Sequence, residues 1–337
     1  MNARSGHRRV VVAAVHAAPV FLDADATVDR ACALIAQASD AGAELVVFPE
    51  VFVPGFPYFI NCYAPDVQTP LLVRYADASI QLPGPELARL QEGARSARIN
   101  VVIGVSERDG GTLYNSQVFL NRAGCYLGKH RKLQPTFAER FVWGQGDGST
   151  LQVLDTDVGK VGGLICWEHT MNLARQALIL KGEQIHAASW PGLESAANLV
   201  GYFDMQVEAL SRVHALTGQC FVVVAGSPVG DDVLKVMEDT LGPQPHLAAG
   251  GGWSAIVHPM GNYLAGPHTG GQERVLTAEL DFADIAALKT LVDAGGHYAR
   301  REVLSLVVDE RPYAALRSKH AQAAPPPKPP DSAAQVE

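Results

Sequence analysis

The run Lys160-Val161-Gly162-Gly163-Leu164-Ile165-Cys166, with residues 170–181, Gly182 and residues 184–189 after it, decides the fold class. The first run is short and apolar and reads as a strand. Residues 170–181 carry a helical pattern that Gly182 closes. Residues 184–189 then return to a strand. Upstream, residues 151–158 pair with the first run as a hairpin turning at Asp157-Val158-Gly159. Downstream, a helix is expected at 203–216 and a strand at 220–225. There Phe221-Val222-Val223-Val224 is apolar at consecutive positions, which predicts burial on both faces.

The same alternation holds nearer the N-terminus. Residues 9–17 read as a strand and 27–41 as a helix, with Val28, Cys32 and Ile35 on one face and Gly42 as its stop. Residues 44–48 are a strand. Residues 85–98 are a helix that presents Leu87, Leu90, Ala94 and Ala97 together, and 100–106 and 114–121 are strands. Strands at 253–258, around Leu264 and at 275–280, then a helix at 282–292, complete the pattern. Alternation of this kind predicts an α/β protein with helices covering its sheets. Residues 1–8 and a Pro-rich tail from residue 323 are expected to be disordered, with 311–337 as a C-terminal extension to one domain at 9–310.

With 337 residues, 47% of them hydrophobic, the chain can bury a large core. A net charge of -8 argues against nucleic acid as a partner. No apolar run is long enough to span a bilayer, and the basic start lacks a secretory apolar stretch, so the expected location is cytoplasmic. The five cysteines are widely spaced and include no CxxC pair, which indicates neither a disulfide framework nor a zinc knuckle.

Three residues stand out chemically. Cys166 lies where a strand ends and a helix is expected to begin, with glycines before it; a helix start beside the sulfur would favour the thiolate. The same context also suits a buried structural thiol. Glu50 follows Val46-Val47-Phe48-Pro49. A carboxylate at the end of an apolar strand is either solvated or, if desolvated, a general base with a raised pKa. Lys132 sits in the basic run Lys129-His130-Arg131-Lys132, which could equally be a solvated face. Beside a thiolate and a carboxylate it would stabilise both anions and the charge that develops on a substrate. Glu139 could hold it in place.

Read together and in order, these segments resemble the nitrilase branch of the carbon–nitrogen hydrolase superfamily. The residues that carry the resemblance are Phe48-Pro49-Glu50 with Pro54-Gly55-Phe56-Pro57-Tyr58, His130-Arg131-Lys132-Leu133 through Pro135-Thr136 with Glu139-Arg140 and Trp143-Gly144, and Cys166-Trp167-Glu168-His169. Gln184-Ile185-His186, Trp190-Pro191-Gly192, Ser211-Arg212, Gly218-Gln219-Cys220-Phe221, Gly250-Gly251-Gly252 with Ser254, and Gly296-His297-Tyr298 extend it along residues 10–308. One departure is Met171-Asn172-Leu173, where many nitrilases place a proline before the leucine.

The resemblance implies a four-layer αββα sandwich and a Glu50-Lys132-Cys166 triad. It implies hydrolysis of an organic nitrile to the carboxylic acid and ammonia through a cysteine thioimidate and thioester, without a cofactor. Glu139 is expected to orient Lys132. Tyr58, Trp167, His169, Trp190 and Pro191 are the expected pocket wall. His169 reads as a lone structural histidine rather than a metal ligand, and the scattered histidines disfavour a zinc hydrolase. The resemblance also implies a homodimer formed through helices, with extension into spirals or filaments. An amidase, an N-carbamoyl hydrolase, a cyanide-degrading enzyme and a non-catalytic scaffold remain alternative readings on the same fold.

Overall fold

The computed structural model describes residues 8–313. In chain order its strands are β1 (Arg9–His16), β2 (Leu45–Val47), β3 (Asn100–Asp109), β4 (Thr112–Leu120), β5 (Tyr126–Arg131), β6 (Leu154–Thr156), β7 (Gly159–Ile165), β8 (Ile185–Trp190), β9 (Phe221–Gly226), β10 (Trp253–Val257), β11 (Tyr263–Thr269) and β12 (Arg274–Asp281). Its helices are α1 (Ala24–Asp40), α2 (Phe59–Cys62), α3 (Thr69–Ala78), α4 (Pro85–Ala97), α5 (Asn172–Leu180), α6 (Phe203–Gly218), α7 (Asp231–Leu241) and α8 (Phe282–Leu291). The expected disordered start and the Pro-rich tail lie outside the described residues, apart from residue 8 and residues 311–313.

The strands form two six-stranded sheets, ordered β12-β1-β2-β3-β4-β5 and β11-β10-β9-β8-β7-β6. Each has a parallel central triplet, β1-β2-β3 or β7-β8-β9, flanked by antiparallel partners. The expected 151–166 hairpin is the β6–β7 pair, which turns after Thr156.

Period-two alternation sorts the side chains into layers. In β1, Val10, Val12 and Ala14 pack between the sheets against Phe221, Val223 and Ala225 of β9. Ala13 and Val15 point the other way, onto Val28, Ala31 and Ile35 of α1 and Leu87 and Leu90 of α4. In β9, Val222 and Val224 face Phe203, Val207 and Ala215 of α6. The result is the four-layer αββα sandwich. Both faces of the central strands are covered, which is why they read as unbroken apolar runs.

Four elements were not expected from the sequence: α2, α3, β5 and α7. The first three connect β2 to the rest of its sheet or close its edge, and α7 packs Val233 and Met237 into the same aromatic cluster as Phe59 and Tyr75.

Candidate active site

Parallel strands in such folds deliver side chains to one end of the sheet, where the connections leave it. β2 ends at Val47, and Glu50 follows three residues later, after Phe48 and Pro49. β5 ends at Arg131, one residue before Lys132. β7 ends at Ile165, one residue before Cys166. Glu139 comes from a short 3-10 turn, Phe137–Phe141, whose capping box uses that same carboxylate: Thr136 N–H donates to Glu139 Oε2 at 2.9 Å.

These four side chains meet in a dry chamber. Lys132 Nζ donates to Glu50 Oε1 at 2.8 Å and to Glu139 Oε2 at 2.7 Å. Its side chain is 0% exposed, as is that of Glu50. Reactive atoms of Glu50, Glu139 and Cys166 all lie within 4.8 Å of one another. Asn115 Nδ2, from β4, donates to Glu50 Oε1 at 2.6 Å. Glu50 Oε2 is buried and has no hydrogen-bond partner among the described residues.

Charge in this chamber follows from burial. Desolvation pushes Glu50 up; Lys132 opposes and Glu139 adds to it, and the carboxyl settles at about 7. Desolvation pushes Lys132 down, but Glu139 and Glu50 outweigh it and hold the ammonium well above its ordinary value. The Cys166 thiol is raised well above its ordinary value by burial, then by Glu50, against Lys132. This corrects the expectation of a preformed thiolate. α5 does not begin until Asn172, and only the 3-10 turn Cys166–Thr170 follows the cysteine, so no helix start faces the sulfur.

Cys166 itself adopts φ +53°, unusual for a residue with a Cβ and unfavourable by about 1 to 2 kcal/mol. The preceding glycines leave room for polar groups behind the strand. A Cβ at Gly162 would stand 2.2 Å from Glu183 Oε1, and one at Gly163 would stand 2.5 Å from Gln117 Oε1. The turn after Cys166 is pinned by Glu168, which accepts from Ile165 N at 2.9 Å, from Leu133 N at 2.7 Å and from His130 Nε2 at 3.0 Å. One carboxylate thus ties the cysteine loop of one sheet to the lysine loop of the other.

Residues 11–290 match the carbon-nitrogen hydrolase family model. The chain belongs to the carbon–nitrogen hydrolase family. Among curated members, a nitrilase of Paraburkholderia phymatum is 42% identical over 91% of this chain and 89% of its own length. An aliphatic nitrilase of Rhodococcus rhodochrous is 41% identical over 89% of this chain and 82% of that protein. These relatives set the chain in the family's nitrilase branch. A carbon-nitrogen hydrolase crystal structure from Helicobacter pylori G27 shares the fold, with a TM-score of 0.69 at 22% identity over 88% of this chain and 97% of that one.

The residues expected to wall the pocket separate into two groups. Tyr58 is buried, senses the charges of Glu50 and Cys166, and accepts a hydrogen bond from Gly192 N at 3.0 Å. A cavity of about 220 Å³ opens beside it, bounded by Cys62, Leu193, Ala196 and His246. Trp167 is partly buried, and its backbone N–H hydrogen-bonds the Cys166 sulfur. His169 departs from the expectation. Its ring is fully buried and stacked on Trp190 at 5.0 Å, with Nδ1 on Cys166 O at 2.6 Å and Nε2 on His186 Nε2 at 2.9 Å. Both nitrogens are engaged inside the protein, so His169 supports the cysteine backbone and offers no polar atom to a ligand. Nor is it alone: the fold brings His214 of α6 to Glu183 and His186, which are three apart in sequence.

Proposed function

We propose that this protein is a nitrilase in which Cys166 is the nucleophile, Glu50 the proton carrier, Lys132 the charge stabiliser and Glu139 the residue that orients Lys132. The observation that supports this most is the chamber of sulfur, two carboxyls and one ammonium with almost no solvent exposure. Glu50 Oε2 is the carboxyl oxygen left free to receive the thiol proton. A carboxyl near 7 exchanges protons at neutral pH with little driving force lost in either direction.

The chemistry runs as follows. Glu50 takes the Cys166 proton as sulfur bonds to the nitrile carbon, and that proton passes to nitrogen to give a thioimidate. Water adds, deprotonated by Glu50, to form a tetrahedral intermediate. Its nitrogen gains a proton and leaves as ammonia, and a thioester remains. A second water releases the acid and restores the thiol, so two waters are consumed per nitrile. Lys132 Nζ and the Trp167 N–H stabilise the charge that develops at each addition. Substrate is taken to enter beside Tyr58, whose ring lines the cavity and lies close enough to Glu50 and Cys166 to sense their charges.

Self-association through the outer helices is part of the proposal. Leu173 and Leu180 on α5, Leu216 on α6, and Tyr298 and Leu304 near the C-terminus are large apolar side chains left exposed, with Leu173 at 69% and Leu304 at 76%.

A panel of aliphatic, aromatic and arylacetic nitriles, cyanide and the matching amides, scored for acid, amide and ammonia, tests the activity. Acid and equimolar ammonia from at least one organic nitrile, lost in Cys166→Ala, is the expected result. Hydrolysis of amides alone would overturn the reading in favour of an amidase.

A further inference from the structure

The backbone of Cys166 is held by a chain of buried groups that the reaction above does not use. Cys166 O meets His169 Nδ1 at 2.6 Å, and His169 Nε2 meets His186 Nε2 at 2.9 Å. His186 Nδ1 meets Glu183 Oε1 at 2.7 Å, and Glu183 Oε2 meets His214 Nε2 at 2.8 Å. The three imidazoles are 0% exposed and Glu183 is 2% exposed. Gly162 lies against the Glu183 carboxylate, where any side chain would collide with it.

Counting protons along this chain gives a definite result. Each of the four contacts needs one hydrogen between its two heavy atoms. Cys166 O can only accept, so His169 Nδ1 carries a hydrogen and donates. In a neutral imidazole that leaves His169 Nε2 as an acceptor, so His186 Nε2 must donate to it. Three neutral imidazoles supply three hydrogens, one fewer than the four contacts require. The fourth lies between His186 Nδ1 and Glu183 Oε1, while His214 Nε2–H donates to the other oxygen. Electrostatics keep the two flanking imidazoles neutral. Burial and the neighbouring His186 push His169 well down and His214 down to about 4, and Arg175 acts on both in the same sense. Glu183, despite burial, is held at about 2 by His186 and His214.

We infer that Glu183, His186 and His169 form a singly protonated relay that fixes the Cys166–Trp167 peptide plane and thereby aims the Trp167 N–H at the reacting centre. The inference rests on the reading of Cys166 as nucleophile. Its physical basis is the shared amide: Cys166 C=O and Trp167 N–H belong to one peptide unit, and that N–H faces the sulfur. An N–H bond to the carbonyl polarises the amide and strengthens its own N–H as a donor. It also anchors a backbone held at φ +53°. These three side chains are positioning residues: His169 touches only the backbone of the nucleophile, and the other two act through it.

Two measurements test the relay. In 15N-histidine-labelled protein, His169 is expected to carry its hydrogen on Nδ1 and to accept at Nε2 from a hydrogen on His186 Nε2, and Glu183→Gln shifts the His186 resonances. His169 carrying its hydrogen on Nε2 instead, or ring nitrogens stripped of hydrogen by a bound cation, would overturn the inference without touching the assignment of the nucleophile. The kinetic arm compares His169→Asn, whose amide can still donate to the Cys166 carbonyl, with His169→Phe, which keeps the ring against Trp190 but has no N–H. His169→Phe is expected to lower kcat about 10-fold or more with little change in KM, and His169→Asn to recover most of the loss. Wild-type kcat in His169→Phe would overturn the relay even if Cys166→Ala is inactive. Should His169→Phe fail to fold, the nitrogen spectrum of the wild-type protein still decides.

Discussion

Asn115→Leu isolates the hydrogen bond that keeps Glu50 within reach of neutral pH. The substitution preserves shape, removes the 2.6 Å donor to Glu50 Oε1 and leaves the backbone bond from Lys132 N to Asn115 O, at 2.8 Å, in place. A hydrogen bond to a charged acceptor contributes about 1.5 to 3 kcal/mol, and leucine leaves no room for a replacement water. At 1.36 kcal/mol per pKa unit this raises Glu50 by about 1 to 2 units, from about 7 to roughly 8 or 9. The sign is fixed by chemistry: the donor favours the carboxylate, so losing it favours the acid, and the base form appears only at higher pH. At pH 7 the carboxylate fraction falls from about one half to roughly 1–10%, so kcat/KM drops about 5- to 50-fold. Near pH 9 the variant recovers to within about 2-fold of wild type. A pH profile of kcat/KM from ammonia release reads both numbers. An acid limb that stays where it is in wild type, with a loss that is uniform in pH, would refute Glu50 as the group that sets it.

Three further outcomes follow from the same geometry. Lys132→Met removes the cation from between two carboxylates; turnover falls by roughly 10²–10³-fold, while iodoacetamide still labels Cys166 by peptide mass. Glu168→Gln breaks a fully buried pair and lowers stability by about 3 to 5 kcal/mol in a denaturant titration. That contribution has a pH window. Glu168 is held below its ordinary 4.5, because His130 and three hydrogen bonds outweigh burial, so its share is lost as pH falls through that lowered value. His130 is held above its ordinary 6.5, because Glu168 outweighs burial, so its share is lost as pH rises through that raised value. The wild-type excess over Glu168→Gln is therefore greatest between about 4.5 and 6.5 and shrinks on both sides. Leu173→Glu on the outer face of α5 yields a smaller species than wild type in sedimentation velocity; unchanged assembly would remove α5 from the interface.

Most of the sandwich was legible because its central strands are buried on both faces. The run 221–224 and the helices that Gly42 and Gly182 stop, α1 and α5, leave few alternatives. What escaped notice has physical causes. β5 is an edge strand whose Lys129 and Arg131 pair with Glu107 on one face while His130 turns inward to Glu168, so charge masked its period. α2 and α3 lie in a stretch thick with proline and aromatic residues. α7 did carry a signal, since Val233 and Met237 sit four apart after Gly230. The four residues that meet in the chamber were all among the sequence candidates, whereas Asn115 on β4 was not. Its role depends on β4 lying two strands from β2 in the same sheet, and nothing local specifies that. Likewise His214 joins Glu183 and His186 only when α6 packs beside the start of β8.

The most direct test of the account is the covalent intermediate itself. A nitrile substrate, mixed with excess enzyme and quenched in acid within one turnover, should leave a substrate-derived mass on the peptide that contains Cys166, and none in Cys166→Ala. A substrate-derived adduct on any other residue, or acid formed at wild-type rate by Cys166→Ala, would contradict it.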